Sequence, residues 1–164
     1  MLPVPDVFTL VAGKGEGKKK LTAFDRALLD AGVGNMNLLR VSSVLPPACN
    51  YVSECRLPYG SLLPIAYGSI TSDVPGETIA AAIGVGIPGD ALSFGMIMEF
   101  SGFCPADEAA VKVEEMVREA FEMRSLDLKQ VKVRAVDHVV GECGSVFAAC
   151  PLFFASSHGG AGGL

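Results

Sequence analysis

Residues 37–47 read Asn-Leu-Leu-Arg-Val-Ser-Ser-Val-Leu-Pro-Pro, and this stretch decides how the rest of the chain is organised. The apolar and β-branched residues before the serines are typical of a half-buried β-strand. Pro46 and Pro47 lack N–H donors and have a fixed φ, so a strand cannot continue through them. We therefore expect Ser42 and Ser43 at the mouth of a strand, joined by a strained, accessible peptide bond. The alternative is that the two serines are turn residues that close the strand.

The composition predicts one domain that buries apolar surface between subunits. The chain has 164 residues, enough for a single domain with a sizeable core. Hydrophobic residues make up 50% of it, and the mean hydropathy is +0.42. The long uncharged stretches, which include residues 78–89 and 143–157, are too short to span a membrane and contain Pro and Gly. The apolar surplus therefore favours a homo-oligomer over a membrane protein.

Charge and cysteine content exclude several further classes. The net charge of −5, from 13 basic and 18 acidic residues, argues against nucleic-acid binding. The five cysteines form no C-x-x-C pair, and with two histidines in the chain they do not support a metal site. The first residues lack the basic and apolar regions of a secretory signal, so we expect a reduced, cytoplasmic protein.

A glycine-rich segment, residues 13–20, comes close to a phosphate-binding loop. The sequence Gly-Lys-Gly-Glu-Gly-Lys-Lys-Lys is predicted to be a solvated loop. The motif G-x-x-x-x-G-K-[ST] fails at both ends, because its first position is Ala12 and its last is Lys19. Nucleotide binding is therefore disfavoured.

Helical periodicity predicts two helices. Residues 22–32 form the first, with Thr22 as N-cap, Asp25 in the first turn and Gly32 and Gly34 at its end. Asp25 is then either a capping residue or a carboxylate for a cationic ligand. Residues 105–124 form the second helix, which buries an apolar stripe.

The remaining apolar segments predict strands over residues 6–12, 62–72, 77–87, 92–100, 131–140 and 145–154. Runs of strands with segregated helices predict an α+β fold. Residues 156–164 are predicted to be a flexible tail. His158 lies in that tail and is a poor catalytic candidate, and His138 is interpreted as structural.

Four motifs, in this order, carry a resemblance to a known family: AFDRALLDAGVGNMNLLRVSSVLPP (23–47), AYGSITSDVPGETIAAAIGVGIP (66–88), GMIMEF (95–100) and EAFEMR (119–124). They closely resemble the pyruvoyl-dependent arginine decarboxylases, over residues 8–154. The resemblance implies a layered αββα sandwich, assembled as a trimer of cleaved protomers with active sites at subunit interfaces.

The resemblance implies self-cleavage between Ser42 and Ser43. The Ser43 hydroxyl attacks the Ser42 carbonyl, and the acyl group shifts from nitrogen to oxygen. β-Elimination then leaves a dehydroalanine, which tautomerises to an imine that water hydrolyses to the ketone with loss of ammonia. Residue 43 becomes a pyruvoyl group heading chain 43–164, and chain 1–42 ends in a carboxylate. Asn37 matches a family asparagine implicated in cleavage, where its amide polarises the scissile carbonyl. The alternative for Asn37 is a polar residue at a strand edge.

The resemblance also implies the catalytic roles. The pyruvoyl ketone forms a Schiff base with the substrate amine and accepts the electrons released with CO₂, in place of pyridoxal phosphate and without a metal. Glu99 matches the acid that protonates the resulting carbanion, and its apolar strand favours a desolvated carboxyl with a raised pKa. The alternative for Glu99 is an edge residue pointing to solvent.

Substrate selection is assigned by the resemblance to Asp25, whose carboxylate pairs with a guanidinium through two parallel hydrogen bonds. Leu21, Gly34 and Met36 match neighbouring positions that line the pocket. The leading hypothesis is therefore a self-processing enzyme that converts L-arginine to agmatine and CO₂. The alternatives are a pyruvoyl-dependent decarboxylase of another amino acid, and a non-catalytic, uncleaved binding module that uses residues 13–20.

Overall fold

The computed structural model describes residues 2–157, and it confirms the predicted α+β class. Two helices and two β-sheets are present in this range. The helices are α1 (Lys20–Asp30) and α2 (Ala106–Met123). The strands are β1 (Val7–Phe8), β2 (Val11–Glu16), β3 (Asn37–Arg40), β4 (Val44–Leu45), β5 (Asn50–Tyr51), β6 (Leu62–Ser72), β7 (Thr78–Pro88), β8 (Gly95–Gly102), β9 (Leu128–Val139) and β10 (Gly144–Phe153).

The first sheet is built around β10, the most buried strand. Strands β6 and β10 pair antiparallel from Gly144↔Ser72 to Pro151↔Ile65. On its other side β10 pairs with β2 and then with β1, which in turn pairs with β5. Strand β3 runs parallel to β6 and forms the outer edge of this sheet.

The second sheet has the order β4-β8-β7-β9. Its pairs are antiparallel, with Ile83 of β7 opposite both Glu99 of β8 and Arg134 of β9. The predicted strand over residues 77–87 is therefore confirmed, although its alanines also suit a helix. The β-branched residues Ile79, Ile83 and Val85 are fully buried, which is typical of a central strand.

The layers stack in the order helix, sheet, sheet, helix, as expected from the resemblance. The inner faces of the two sheets share one apolar cluster, which includes Phe8 of β1, Val146 of β10, Ile83 of β7 and Ile97 of β8. Helix α1 packs on the outer face of the first sheet and α2 on the outer face of the second. Both sheets therefore have one face on the shared core and one under a helix.

The glycine-rich segment is not the predicted loop. Its residues up to Glu16 belong to β2, which pairs with β10 from Ala149↔Val11 to Gly144↔Glu16. A Cβ placed on Gly13 would lie 2.2 Å from the carbonyl oxygen of Ala27, and one on Gly15 would lie 2.3 Å from Arg26 Cγ. The glycines therefore serve the close approach of β2 to α1, and nothing in their geometry indicates a phosphate cradle.

Helix α1 begins two residues before the predicted start. The N-cap is Lys19, and Thr22, predicted to be the cap, is inside the helix. The Thr22 hydroxyl accepts a hydrogen bond from the Lys19 N–H (3.1 Å) and donates one to the Lys19 carbonyl (3.0 Å). The helix ends at Asp30 with Ala31 as its C-cap, and the predicted terminator Gly32 follows with a φ of +80°. Its N–H bonds Leu29 O while Val33 N bonds Leu28 O, the pattern of a Schellman cap.

Several other predictions need boundary changes. The strand predicted over residues 6–12 is two strands, β1 and β2, and the strand predicted over residues 131–140 begins at Leu128. The strand predicted over residues 92–100 starts at Gly95, because residues 91–93 form a turn in which Leu92 N–H bonds the Asp90 carboxylate. Residues 158–164 of the predicted tail, including His158, lie outside the described residues, and Ala155–Ser157 form a short 3₁₀-helix. None of the helices described is both long and apolar enough to cross a membrane.

Candidate active site

The Ser42–Ser43 bond lies where the chain crosses from the first sheet to the second. On one side of it, the Val41 N–H donates to the carbonyl of Ile65 in β6 (3.1 Å). On the other side, the Ser43 carbonyl accepts a 2.7 Å hydrogen bond from Ile97 of β8. A single peptide bond thus links two segments that are each held by a different sheet.

The crossing is open to solvent. Ser42 is exposed and Ser43 is half-buried. The expected backbone strain is not found, because neither serine is among the described residues with a positive φ. Strand β3 ends at Arg40, and the two serines link it to β4, where Val44 pairs with Met96. The bond is therefore accessible, and the backbone beside it is held in ordered pairing.

Glu99 lies on β8, two residues or roughly 7 Å beyond Ile97, on the same face of the strand. The Glu99 side chain faces the first sheet. A Cβ atom built on Gly68 of β6 would lie 3.2 Å from the Cβ atom of Glu99. The Glu99 side chain is 32% exposed. Burial raises the pKa of its carboxyl, and the nearby Arg40 guanidinium opposes that rise. The prediction of a raised pKa in an apolar strand is thus supported.

Arg40 is a residue of this site that the sequence analysis missed. Its Nη2 lies 3.7 Å from Glu99 Oε1 and donates a 3.1 Å hydrogen bond to the Tyr67 carbonyl. Its Cζ lies 4.5 Å from the centre of the Tyr67 ring. The available signal was a charged residue in an apolar strand, three positions before Ser43. Its contact with Glu99 in the other sheet is a tertiary contact, which the spacing of residues along the sequence does not reveal.

Asn37 lies at the opposite end of β3 from the serines. Its side-chain amide donates to the Gly60 carbonyl (2.9 Å), and its N–H bonds the Ser61 carbonyl. Among the described residues, its side-chain oxygen has no hydrogen-bond partner. Asn37 pairs with Leu62 of β6, whereas Glu99 packs against Gly68, six residues or about 20 Å further along that strand.

Asp25 lies in the second turn of α1, and this helix has no acidic residue in its first turn. The capping alternative for Asp25 is therefore wrong. The side chain is exposed and makes no hydrogen bond or ion pair with the residues described. Leu21, four residues earlier on the same helix face, is 76% exposed. Asp25 and Leu21 are therefore both open to solvent on the same face of α1.

The remaining predicted pocket residues follow α1. Gly34 lies between α1 and β3, with the Leu29 side chain packed against its backbone. Met36 is partly buried and packs against the cluster formed by α1 and the first sheet. Together with Leu21, Asp25 and Asn37 they form what we call the helix group, and the serine group comprises Arg40, Ser42, Ser43 and Glu99. Within the chain no hydrogen bond joins the residues of the two groups.

His138 is structural, as predicted. Its Nε2 lies 2.6 Å from Glu16 Oε1, and the Glu16 carboxylate also accepts hydrogen bonds from the backbone N–H groups of Gly141, Glu142 and Cys143. This arrangement fixes the turn between β9 and β10. Across residues 2–157 no cluster of three or more His, Cys, Asp or Glu side chains is arranged to hold a metal ion.

Comparisons with known proteins agree with the sequence motifs. The family model described as pyruvoyl-dependent arginine decarboxylase matches residues 7–157. A pyruvoyl-dependent arginine decarboxylase of Methanocaldococcus jannaschii is 50% identical over 151 residues, covering 92% of both chains. One from Thermococcus sibiricus is 44% identical over 138 residues, covering 83% of this chain and 87% of its own. A solved pyruvoyl-dependent histidine decarboxylase matches 57% of this chain and 51% of its own, with 16% identity and a TM-score of 0.44, too low to support any argument.

Proposed function

The chain belongs to the family of pyruvoyl-dependent arginine decarboxylases, and from that membership we propose that it cleaves itself and then converts L-arginine to agmatine and CO₂. The proposal treats residues 1–164 as one domain that becomes chains 1–42 and 43–164. The observation that carries it is the position of the Ser42–Ser43 bond, exposed at the crossing between the sheets and close to Glu99.

The backbone hydrogen bonds around Ser43 suit a residue that reacts during cleavage and then stays in position. The Ser43 hydroxyl attacks the carbonyl carbon of Ser42 and becomes the leaving group in the elimination, so a β-heteroatom is required at position 43 alone. The Ser43 carbonyl is held by Ile97, and Val41 is held by Ile65. Each end created by cleavage therefore keeps a hydrogen bond to its own sheet.

A pyruvoyl ketone at residue 43 supplies an electrophile for the substrate amine and a sink for the electrons released with CO₂. Glu99 then donates the proton that replaces the carboxylate. Its half-buried setting supports this role, since burial raises the pKa of the carboxyl and keeps it protonated to higher pH. The proposed chemistry uses no pyridoxal phosphate and no metal ion.

Asp25 binds the substrate guanidinium in this proposal. A carboxylate without a partner on an exposed helix face is free to accept two parallel N–H bonds, a geometry that the ammonium of lysine does not match. Leu21, Gly34 and Met36 line the pocket around the aliphatic part of the substrate. The exposed side chain of Leu21 is available for that contact.

A trimer with active sites between subunits completes the proposal. Asn37 and Glu99 are about 20 Å apart within one protomer, and Asn37 is at the opposite end of β3 from Ser42, too far for its amide to reach the Ser42 carbonyl of the same protomer. We therefore propose that the helix group of one protomer and the serine group of its neighbour together form one active site. In that arrangement the Asn37 amide polarises the neighbour's Ser42 carbonyl during cleavage. The exposed leucines Leu21, Leu29 and Leu39 supply apolar surface for such an interface.

The test is CO₂ release from arginine by the purified, cleaved protein, with lysine, ornithine and histidine as competitors. Arginine is expected to have the highest kcat/KM. Preference for another amino acid would retain the pyruvoyl chemistry and overturn the assignment of Asp25. An uncleaved chain that releases no CO₂ would overturn the proposal as a whole.

A further inference from the structure

The Arg40 guanidinium has a fixed orientation at the edge between the two sheets. It is stacked on the Tyr67 ring at 4.5 Å and bonded to the Tyr67 carbonyl at 3.1 Å. Two contacts of different geometry to one residue define the plane of the guanidinium as well as its position. The Nη2 atom that donates to the Tyr67 carbonyl also lies 3.7 Å from Glu99 Oε1.

This ion pair is poorly suited to a purely structural role. The side chain of Arg40 is 58% exposed and that of Glu99 is 32% exposed. Ion pairs in such solvated settings contribute little to the free energy of unfolding, because the charges are screened and two long side chains must be ordered. The main consequence of the contact is therefore that it orients the two side chains.

The pair also joins the two chains that cleavage would create. Arg40 is in the segment 1–42, two residues before its new carboxyl end, while Tyr67 and Glu99 are in the segment 43–164. After cleavage the Arg40 side chain remains bonded across the gap. The guanidinium also adds positive charge near two carboxylates, that of Glu99 and the new one at Ser42.

We propose that Arg40 is a positioning residue that orients the Glu99 carboxyl toward residue 43. The inference rests on the role of Glu99 in the proposed function and deepens it, since it explains how a proton donor on one sheet is aimed at a group on the crossing strand. Arg40 itself does not touch the reacting atoms in this account, and it acts through Glu99.

The charges around Glu99 determine the sign of the expected pH effect. The neighbouring strands bring no other charged side chain to it, since Ile83 of β7 is opposite and Gly68 of β6 lies against it. Arg40 is the charged side chain that perturbs the carboxyl, and it lowers the pKa that burial raises. Removing Arg40 therefore raises the pKa of Glu99, and the carboxyl stays protonated to higher pH.

The test compares three variants of the cleaved enzyme with the wild type over a range of pH. In Arg40→Gln, kcat is expected to fall by about tenfold, a part of the roughly 10²–10⁴-fold that a proton donor contributes. The alkaline limb of its kcat profile moves to higher pH. Arg40→Lys keeps the charge but lacks the planar guanidinium that stacks on Tyr67, so kcat falls with little movement of that limb.

The matched control is Arg118→Gln, which removes an exposed arginine and its ion pair to Glu114 on the outer face of α2. Its kcat and pH profile are expected to equal those of the wild type. An Arg40→Gln enzyme with a wild-type kcat, or one whose kcat falls equally at every pH, would overturn the proposal.

A second readout separates this inference from the proposed function. Carboxyl ¹³C NMR of glutamate-labelled protein, assigned with Glu99→Gln, gives the pKa of Glu99 directly. That pKa is expected to be higher in Arg40→Gln, whether or not arginine is turned over. If Arg40→Gln fails to cleave, the uncleaved Ser43→Ala chain is its reference. An unchanged pKa of Glu99 would refute the role of Arg40 alone, whereas a wild type that releases no CO₂ would refute the proposed function alone.

Discussion

A 2.7 Å hydrogen bond from the Ile97 N–H to the Ser43 carbonyl holds residue 43 on the second sheet, although Val41, two residues earlier, is bonded to the first. The peptide bond between Ser42 and Ser43 is thus the covalent link between two independently anchored segments. Breaking it removes no backbone hydrogen bond on either side. Cleavage here would therefore leave both anchoring hydrogen bonds in place.

Replacing Ser43 by alanine should prevent cleavage. Alanine has no β-heteroatom to attack the Ser42 carbonyl or to leave in the elimination, so the Ser43→Ala protein remains one chain of 164 residues. Ser42→Ala is the matched control, since position 42 supplies only a carbonyl, and this variant is expected to cleave. Denaturing gel electrophoresis distinguishes the two. Normal cleavage of Ser43→Ala would contradict the assignment of the pyruvoyl residue.

Replacing Glu99 by glutamine should separate processing from turnover. The Glu99→Gln chain is expected to cleave, because Ser42 and Ser43 are intact, but it lacks a carboxylic acid to protonate the reaction intermediate. Its kcat is therefore expected to fall by roughly 10²–10⁴-fold, the usual contribution of general acid catalysis. The measurement is the rate of CO₂ release at saturating arginine.

Glu114→Gln is the control for that variant, because it also removes one carboxylate from an arginine ion pair, on the exposed face of α2. It should retain the wild-type kcat. Wild-type turnover in Glu99→Gln would remove Glu99 from the mechanism.

Asp25→Asn should reduce the selectivity for arginine. Asparagine cannot form the bidentate, charge-assisted pair, and hydrogen bonds to charged groups contribute about 1.5–3 kcal/mol, so kcat/KM for arginine should fall about ten- to hundredfold. Asp30→Asn is the control on the same helix, because its side-chain oxygen can still accept the 2.9 Å bond from Lys14 N–H. Equal losses of kcat/KM for arginine and lysine in Asp25→Asn would argue against a guanidinium-binding role.

The Glu16 carboxylate should make folding stability sensitive to acid. Desolvation raises its pKa, but the N–H groups of Gly141, Glu142 and Cys143 and the His138 ring outweigh it and lower the pKa to about 2. The stabilisation is present above the ordinary value of 4.5 and is lost as pH falls toward about 2. Thermal denaturation midpoints should therefore drop over this range.

In Glu16→Gln the midpoint should be lower at neutral pH and should change less with acid. Glu142→Gln is the control, because the Glu142 contact to Glu16 is made by its backbone N–H. Parallel acid profiles for the wild type and Glu16→Gln would show that this carboxylate does not contribute.

Sequence patterns within a single helix or strand predicted that element correctly where the burial of its apolar side chains determines the structure. The strand β7 and the helix α2 were predicted because β-branched and stripe residues such as Ile83, Val117 and Phe121 report the faces that are buried. The glycines at residues 13 and 15 led to the incorrect prediction of a loop, whereas these residues belong to β2. Glycine is common in loops, but here it is required because another backbone lies within reach of a Cβ.

Contacts between elements were beyond the reach of the sequence. The residues Ser43 and Glu99 were identified by resemblance, but their placement beside each other on the second sheet depends on how β4 pairs with β8. Arg40 was missed for the same reason, since its partner lies 59 positions along the chain, in another sheet. The separation of Asn37 from Glu99 likewise became evident only from the pairing of β3 with β6.

The most direct test of the central claim is the intact mass of the purified wild-type protein under denaturing conditions, before and after borohydride reduction. We predict two fragments split between residues 42 and 43, with the larger fragment gaining two hydrogen atoms as its ketone is reduced. A single chain of 164 residues that stays uncut and unreduced after prolonged incubation would contradict the account.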